Sequence, residues 1–171
     1  MARFAELEAA CVFFLTGPGD DRATVAEGIR RIADAGARHG VRVAREPIHP
    51  SQARVLSPVS TIDEALDLIG DADVGILFDT WHLAEVSHVD RVYGVHVADR
   101  REPTRSDFDR LLPGEGSRAS VNALLEGGYR GWLDVELMSD DGTFGNAFED
   151  SLWALPVDEL AARAVESLEQ L

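Results

Sequence analysis

Apolar runs rich in β-branched residues recur along the chain, and helix-like segments separate them. Five runs have the length and composition of strands, at residues 11–16, 41–46, 74–79, 92–96 and 132–136. Their apolar character is nearly continuous rather than alternating, which is typical of strands covered on both faces. The regular alternation of strands and helices predicts repeated βα units and therefore a parallel sheet.

The helix-like segments are recognised by apolar periodicity and by their end signals. They cover about 20–39, 61–70, 121–126 and 157–171, and residues 3–10 resemble the end of an earlier helix. A capping-box pattern, Thr61-x-x-Glu64, opens the second of these helices. Ser120 is the expected N-cap of the third.

The number of strands limits the architecture. Five parallel strands are too few to close the eight-stranded barrel that such units usually form. We interpret residues 1–171 as one α/β domain, a partial (β/α)8 TIM barrel made of the carboxyl-terminal five units. A free-standing open α/β sheet is the alternative. Because missing strands leave sheet edges exposed, we expect a homodimer or a partner chain that covers the open edge.

Four of the five apolar runs end on a side chain that can bind a metal ion. These side chains are Glu46, Asp79, His96 and Glu136. The carboxyl ends of parallel strands build the active sites of α/β folds, so the four groups are expected to converge. Three carboxylates and one imidazole suit a hard or borderline divalent cation such as Mn²⁺, Mg²⁺, Co²⁺ or Zn²⁺.

Composition excludes several classes of partner. The chain has 31 acidic and 16 basic residues, a formal charge of −15, which opposes binding to nucleic acid. Its single cysteine, Cys11, rules out an internal disulfide and is compatible with a reducing cytoplasm. The longest apolar stretch, near 9–15, is too short to span a membrane and lacks a basic leader. We therefore predict a cytoplasmic protein without a membrane partner.

Five motifs follow one another in an order that is more specific than any one of them. They are REPIHP at 45–50, FDTWH at 78–82, GVHVADRREPTR at 94–105, LPGEG at 112–116 and DVELMSDDGTFG at 134–145. With them the chain resembles the xylose-isomerase-like sugar phosphate isomerase/epimerase family, without its amino-terminal three βα units. The resemblance implies a TIM barrel with one divalent metal, and it gives ligand roles to Glu46, Asp79, His96 and Glu136.

The resemblance also implies a reaction. The expected activity is a metal-dependent isomerisation or epimerisation of a sugar or sugar phosphate, with Mn²⁺ as the first choice of metal. Glu46 and Glu136 would transfer a proton through an enediolate. His82, His49 and Arg101 are the residues expected to bind the substrate.

Three other functions are consistent with parts of this pattern. A metal-dependent lyase, such as a keto-inositol dehydratase, would use the same ligands, but only a lyase releases water. A non-catalytic truncated remnant would keep the fold without turnover, and metal occupancy would distinguish it. An endonuclease IV-like nuclease would need more ligands, for several zinc ions, and a basic groove, which this acidic chain does not provide.

Overall fold

A computed structural model describes residues 1–19 and 21–171 of the chain. It contains one parallel sheet whose strands follow one another in chain order. They are β1 (Val12–Phe14), β2 (Val43–Arg45), β3 (Gly75–Asp79), β4 (Val92–Val97) and β7 (Leu133–Val135). The predicted fold class is confirmed, because these five strands and their helices form an α/β partial TIM barrel.

Helices lie between the strands and at both ends of the described chain. They are α1 (Ala2–Glu6), α2 (Arg22–His39), α3 (Ile62–Ile69), α4 (Glu115–Glu126) and α5 (Val157–Glu169). The predicted capping box of α3 is present, since the Glu64 amide donates to Thr61 Oγ1 and the Thr61 amide donates to Glu64 Oε2. Between β3 and β4 the connection is reduced to a single 3-10 turn, Val89–Arg91.

The prediction for the start of α4 was wrong. This helix begins at Glu115, with Gly114 rather than Ser120 as its N-cap. Its first turn is held by a residue from outside the helix, because the amides of Gly116 and Ser117 donate to the Asp99 carboxylate at 3.1 and 2.7 Å. Because the capping carboxylate belongs to Asp99, which is distant in sequence, the residues directly before α4 show no side-chain capping pattern.

A second, smaller sheet follows β4 and was not predicted from the sequence. It pairs β5 (Asp99–Arg100) with β6 (Arg110–Leu111) in antiparallel register. The strands contain two residues each, so they are too short to show a hydrophobic period. This pairing returns the chain to the carboxyl end of the large sheet.

The large sheet separates a hydrophobic layer from the face that carries the polar strand ends. Ile76 and Phe78 of β3 are fully buried and belong to the core that α2, α3 and α4 cover. Since successive strand residues point to opposite faces, Leu77 and Asp79 lie on the other face. None of the described helices is long and apolar enough to cross a membrane.

Both edges of the large sheet remain unpaired among the described residues, since β1 pairs only with β2 and β7 only with β4. Large apolar side chains lie at each edge. Phe13 of β1 is 43% exposed, and Trp132, directly before β7, is 72% exposed. Open parallel edges with exposed aromatic residues favour pairing with further strands.

We therefore predict that the isolated chain associates through these edges. Light scattering after size exclusion should give a mass above the 18.6 kDa of one chain. Replacing Trp132 with Glu should shift the protein towards the monomer, because a charge at the edge opposes strand pairing. Val55→Glu is the matched control, because Val55 is equally exposed at 71% but lies outside the strands. A monomer at all concentrations would contradict the prediction.

Candidate metal centre

Four side chains meet at the carboxyl end of the large sheet. Each of them offers one ligand atom, and these atoms all lie within 4.8 Å of one another. The four are Glu46, Asp79, His96 and Glu136. Strand register brings them together, since Asp79 lies opposite His96 in the β3–β4 pair and the Glu136 amide donates to Val97 O just beyond the β4–β7 register. The convergence expected from the sequence is therefore present in the structure.

The burial and chemistry of these groups fit a divalent cation. Asp79 is fully buried and Glu46 nearly so. Glu46 Oε1 and His96 Nδ1 are buried without a hydrogen-bond partner in the described part of the chain. Buried polar atoms are almost always satisfied in folded proteins, and the nearest charged oxygen to His96 Nδ1 is Glu136 Oε2 at 3.3 Å, so the positions of these ligand atoms are compatible with a divalent ion. Oxygen donors with a single imidazole match hard and borderline divalent metals.

A buried guanidinium lies among the carboxylates. Arg110 Nη1 donates to Asp79 Oδ2 at 2.7 Å and lies 3.0 Å from Glu136 Oε2. The side chain comes from β6, and its aromatic neighbour is Trp81, whose ring centroid is 5.3 Å from the guanidinium carbon. Sequence reasoning missed this residue. Its only local signal is an arginine directly before the apolar pair Leu111 and Leu112 that leads into the LPGEG motif.

The pKa values of the two glutamates in the cluster are shifted in opposite directions. Burial and the nearby charge of Asp79 raise the pKa of Glu46 well above its ordinary value. Burial also acts to raise the pKa of Glu136, but His96 and Arg110 outweigh it and the net pKa lies well below the ordinary value. The Glu136 carboxyl group therefore loses its proton at a lower pH than the Glu46 carboxyl group. Such divergent environments are typical of acid–base pairs.

Hydrogen-bond donors lie close to both ring nitrogens of His82. Its Nδ1 accepts a hydrogen bond from the His49 backbone amide at 3.0 Å, and its Nε2 lies 3.3 Å from Arg110 Nη2, which can only donate. Burial lowers the pKa of His82 to about 4. Nε2 lies 3.9 Å from Glu46 Oε1 and 3.8 Å from Asp79 Oδ2. The Nε2 edge of the ring therefore lies beside the ligand cluster and next to the Arg110 guanidinium.

The other two predicted substrate-binding residues lie further from the ligands. The His49 ring lies edge-on to the Trp81 ring, with centroids 5.4 Å apart, while its backbone amide positions His82. Arg101 donates to Asp150 Oδ2 at 2.6 Å, and its Nε lies 3.2 Å from Asp109 Oδ2. The structure thus places the Arg101 guanidinium between two carboxylates rather than within the ligand cluster.

Comparison with known proteins connects this site to one family. The model of a family described as xylose isomerase-like TIM barrel matches residues 1–171. None of the curated proteins matches the sequence. Among solved structures, protein SMc04130 from Sinorhizobium meliloti 1021 superposes with a TM-score of 0.80 at 26% identity, over 98% of this chain and 66% of that one.

Two further solved structures share the fold. A xylose isomerase domain containing protein from Salmonella typhimurium LT2 has a TM-score of 0.71 at 21% identity, over 98% of this chain and 65% of that one. D-allulose 3-epimerase from Methylomonas sp. has a TM-score of 0.63 at 20% identity, over 98% of this chain and 65% of that one. The chain thus spans less than two thirds of the length of each of these three proteins.

The raised pKa of Glu46 predicts that metal affinity depends on pH. An ion must displace the Glu46 proton, and it also requires a neutral His96, whose pKa the Glu136 carboxylate raises against the lowering effect of burial. Affinity for Mn²⁺ should therefore rise by at least roughly tenfold per pH unit between about pH 6 and pH 7. Calorimetry in buffers of different ionisation enthalpy would report the released protons. An affinity independent of pH would contradict this prediction.

The ligand role of His96 can be tested against a histidine outside the cluster. His96→Ala should weaken Mn²⁺ binding on the order of 100-fold or more, because even the hydrogen-bond partners of metal ligands contribute 10- to 100-fold. His88→Ala is the matched control, since His88 is exposed and pairs with Asp63 at 3.0 Å. Equal affinities of the two variants in a competition titration with a metal indicator would argue against the site.

Proposed function

Since the chain belongs to the xylose isomerase-like TIM barrel family, we propose that it is a divalent-metal-dependent isomerase or epimerase of a small sugar or sugar phosphate. The observation that carries the proposal is the pair Glu46 and Glu136. They approach one metal-type cluster from different strands and have opposite pKa shifts. The fold agrees with such a reaction, because solved structures with the same fold include proteins named as sugar epimerases.

We propose that Glu46, Asp79, His96 and Glu136 hold the ion, and that the ion is Mn²⁺ before Mg²⁺, Co²⁺ or Zn²⁺. When bound, a divalent ion would polarise adjacent carbonyl and hydroxyl oxygens of the sugar and stabilise the negative charge of an enediolate. The mainly carboxylate donor set supports the harder members of this group of metals.

The proton transfer belongs to the two glutamates. Glu46 directly follows β2 and Glu136 directly follows β7, so β3 and β4 lie between them and the two carboxylates approach the site from different strands. One of them removes the proton next to the carbonyl group and one of them returns it. Return to the same carbon gives an epimer, and return to the neighbouring carbon gives an isomer.

Two cationic or donor groups assist the carboxylates. The Nε2 edge of His82 is directed towards the cluster, 3.9 Å from Glu46 Oε1 and 3.3 Å from Arg110 Nη2, where it can contact a substrate oxygen. The Arg110 guanidinium, buried beside Asp79, supplies a permanent positive charge where negative charge develops. Because both groups are held by neighbours before any substrate arrives, their stabilisation requires little reorganisation.

The proposal can be tested by solvent exchange. The metal-loaded protein would be incubated with a panel of ketoses, aldoses and their phosphate esters in heavy water, and NMR would follow deuterium at the carbon next to the carbonyl. Glu136→Gln should reduce exchange by about 100-fold to 10,000-fold, the usual contribution of a general acid or base. Glu149→Gln is the matched control, because Glu149 is an exposed carboxylate in the loop that follows the same strand.

The products separate the proposal from its competitors. Exchange with an epimer or isomer as product supports it, and full activity of Glu136→Gln contradicts the two-glutamate mechanism. Release of water from the sugar would instead identify a metal-dependent lyase. Absence of specific metal binding, together with absence of exchange on any sugar of the panel, would favour a non-catalytic remnant.

A further inference from the structure

The loops that follow β4 and β7 are the last two strand-to-helix connections of the chain. In TIM barrels such loops frequently hold a substrate phosphate, together with the N-terminus of a helix. Both begin at the candidate metal centre, because His96 lies near the end of β4 and Glu136 follows β7 directly. A phosphate ester bound to the metal centre would need free backbone amides or free guanidinium groups in this region.

Three of the backbone amides at the start of α4 are already used. The Asp99 carboxylate accepts from the amides of Gly116 and Ser117, and the Gly114 amide donates to Ser117 Oγ at 3.0 Å. A carboxylate thus occupies the position that phosphate oxygens take at an anion-binding helix N-terminus. A second anion at this helix would meet the negative charge of Asp99 rather than open donors.

The guanidinium groups between β4 and α4 are also paired. Arg100 contacts Glu102 at 2.6 Å. The Arg105 guanidinium donates to Asp109 at 2.7 Å and to Asp150 at 2.9 Å. Arg101 shares the same two aspartates, and Arg110 is engaged by the metal-centre carboxylates. Each of these four cations therefore has a carboxylate partner.

The loop after β7 contributes no cationic side chain, and the N-terminus of α5 that follows it has no side-chain cap but carries Asp158 and Glu159 in its first turn. Residues 131–162 contain aspartate and glutamate but no arginine, lysine or histidine, and the whole chain contains no lysine. At the metal centre itself, three carboxylates face one permanent cation, Arg110. A divalent ion together with Arg110 would balance those three charges, so a phosphate dianion would bring charge that nothing nearby compensates.

We propose that the site accepts a neutral, unphosphorylated polyhydroxy ketone or aldehyde and discriminates against its phosphate ester. This inference rests on the proposed function and narrows its substrate to one chemical class. The metal ligands and His82 would recognise carbonyl and hydroxyl oxygens, which a neutral sugar supplies in full. The occupied amides at the start of α4, the acidic first turn of α5 and the paired arginines supply the discrimination.

Binding to the Mn²⁺-loaded protein tests the inference without requiring turnover. Water-proton relaxation would be followed while two matched pairs are titrated, dihydroxyacetone with its phosphate and D-fructose with its 6-phosphate. We expect at least one neutral compound to displace metal-bound water, and its phosphate ester to bind at least about tenfold more weakly. Equal or tighter binding of the phosphate ester, or no response to either neutral compound, would overturn the inference.

A variant identifies the group responsible. In Asp99→Ala the amides of Gly116 and Ser117 are released, so the preference for the neutral compound should decrease at least threefold while Mn²⁺ affinity is retained. An unchanged preference would overturn the role assigned to Asp99. The proposed function fails separately, since a chain that binds no Mn²⁺ lacks the metal centre, whereas a chain that binds Mn²⁺ and prefers the phosphate ester refutes only the substrate class.

Discussion

Mutual repulsion among three carboxylates is the constraint on which this site depends. Glu46, Asp79 and Glu136 place ligand atoms within 4.8 Å of one another at the end of a sheet, where water is largely excluded. Three negative charges at that distance require compensation, which a proton, a guanidinium or a metal ion can provide. Burial and the neighbouring charge of Asp79 raise the pKa of Glu46, and Arg110 compensates the other two carboxylates through its contacts with Asp79 and Glu136.

The position of each strand in the sheet sets the environment of its ligand. Asp79 ends β3, a central strand, and its side chain is fully buried, whereas Glu136 follows β7 at the open edge and its side chain is 34% exposed. Further strands beyond β7 would cover that carboxylate and strengthen every electrostatic interaction of the cluster. The unpaired edge therefore leaves the Glu136 carboxylate partly exposed, and it is also the surface through which we predict that the chain associates.

Charge neutralisation extends beyond the ligands into the loops. Asp109 and Asp150 bind two arginines together, and Asp99 closes the start of α4. These contacts hold the β5–β6 hairpin near the end of the large sheet. Arg110 of that hairpin contacts Asp79 of the candidate metal centre. Order in the loops and the electrostatics of the site are thus produced by the same carboxylate–guanidinium pairs.

The sequence by itself determined the strands, their parallel order and the convergence of Glu46, Asp79, His96 and Glu136, because these depend on short-range patterns. A continuous apolar run predicts a buried strand, and the polar residue at its end must then lie at the rim of the sheet. The tertiary structure alone decided the start of α4, the hairpin and the positions of Arg110 and Arg101. Each of these depends on a partner distant in sequence, as Asp99 is from Ser117 and Arg110 is from Asp79. Local periodicity does not show which distant charged residue a side chain will contact, because the contact forms only when the strands bring the loops together.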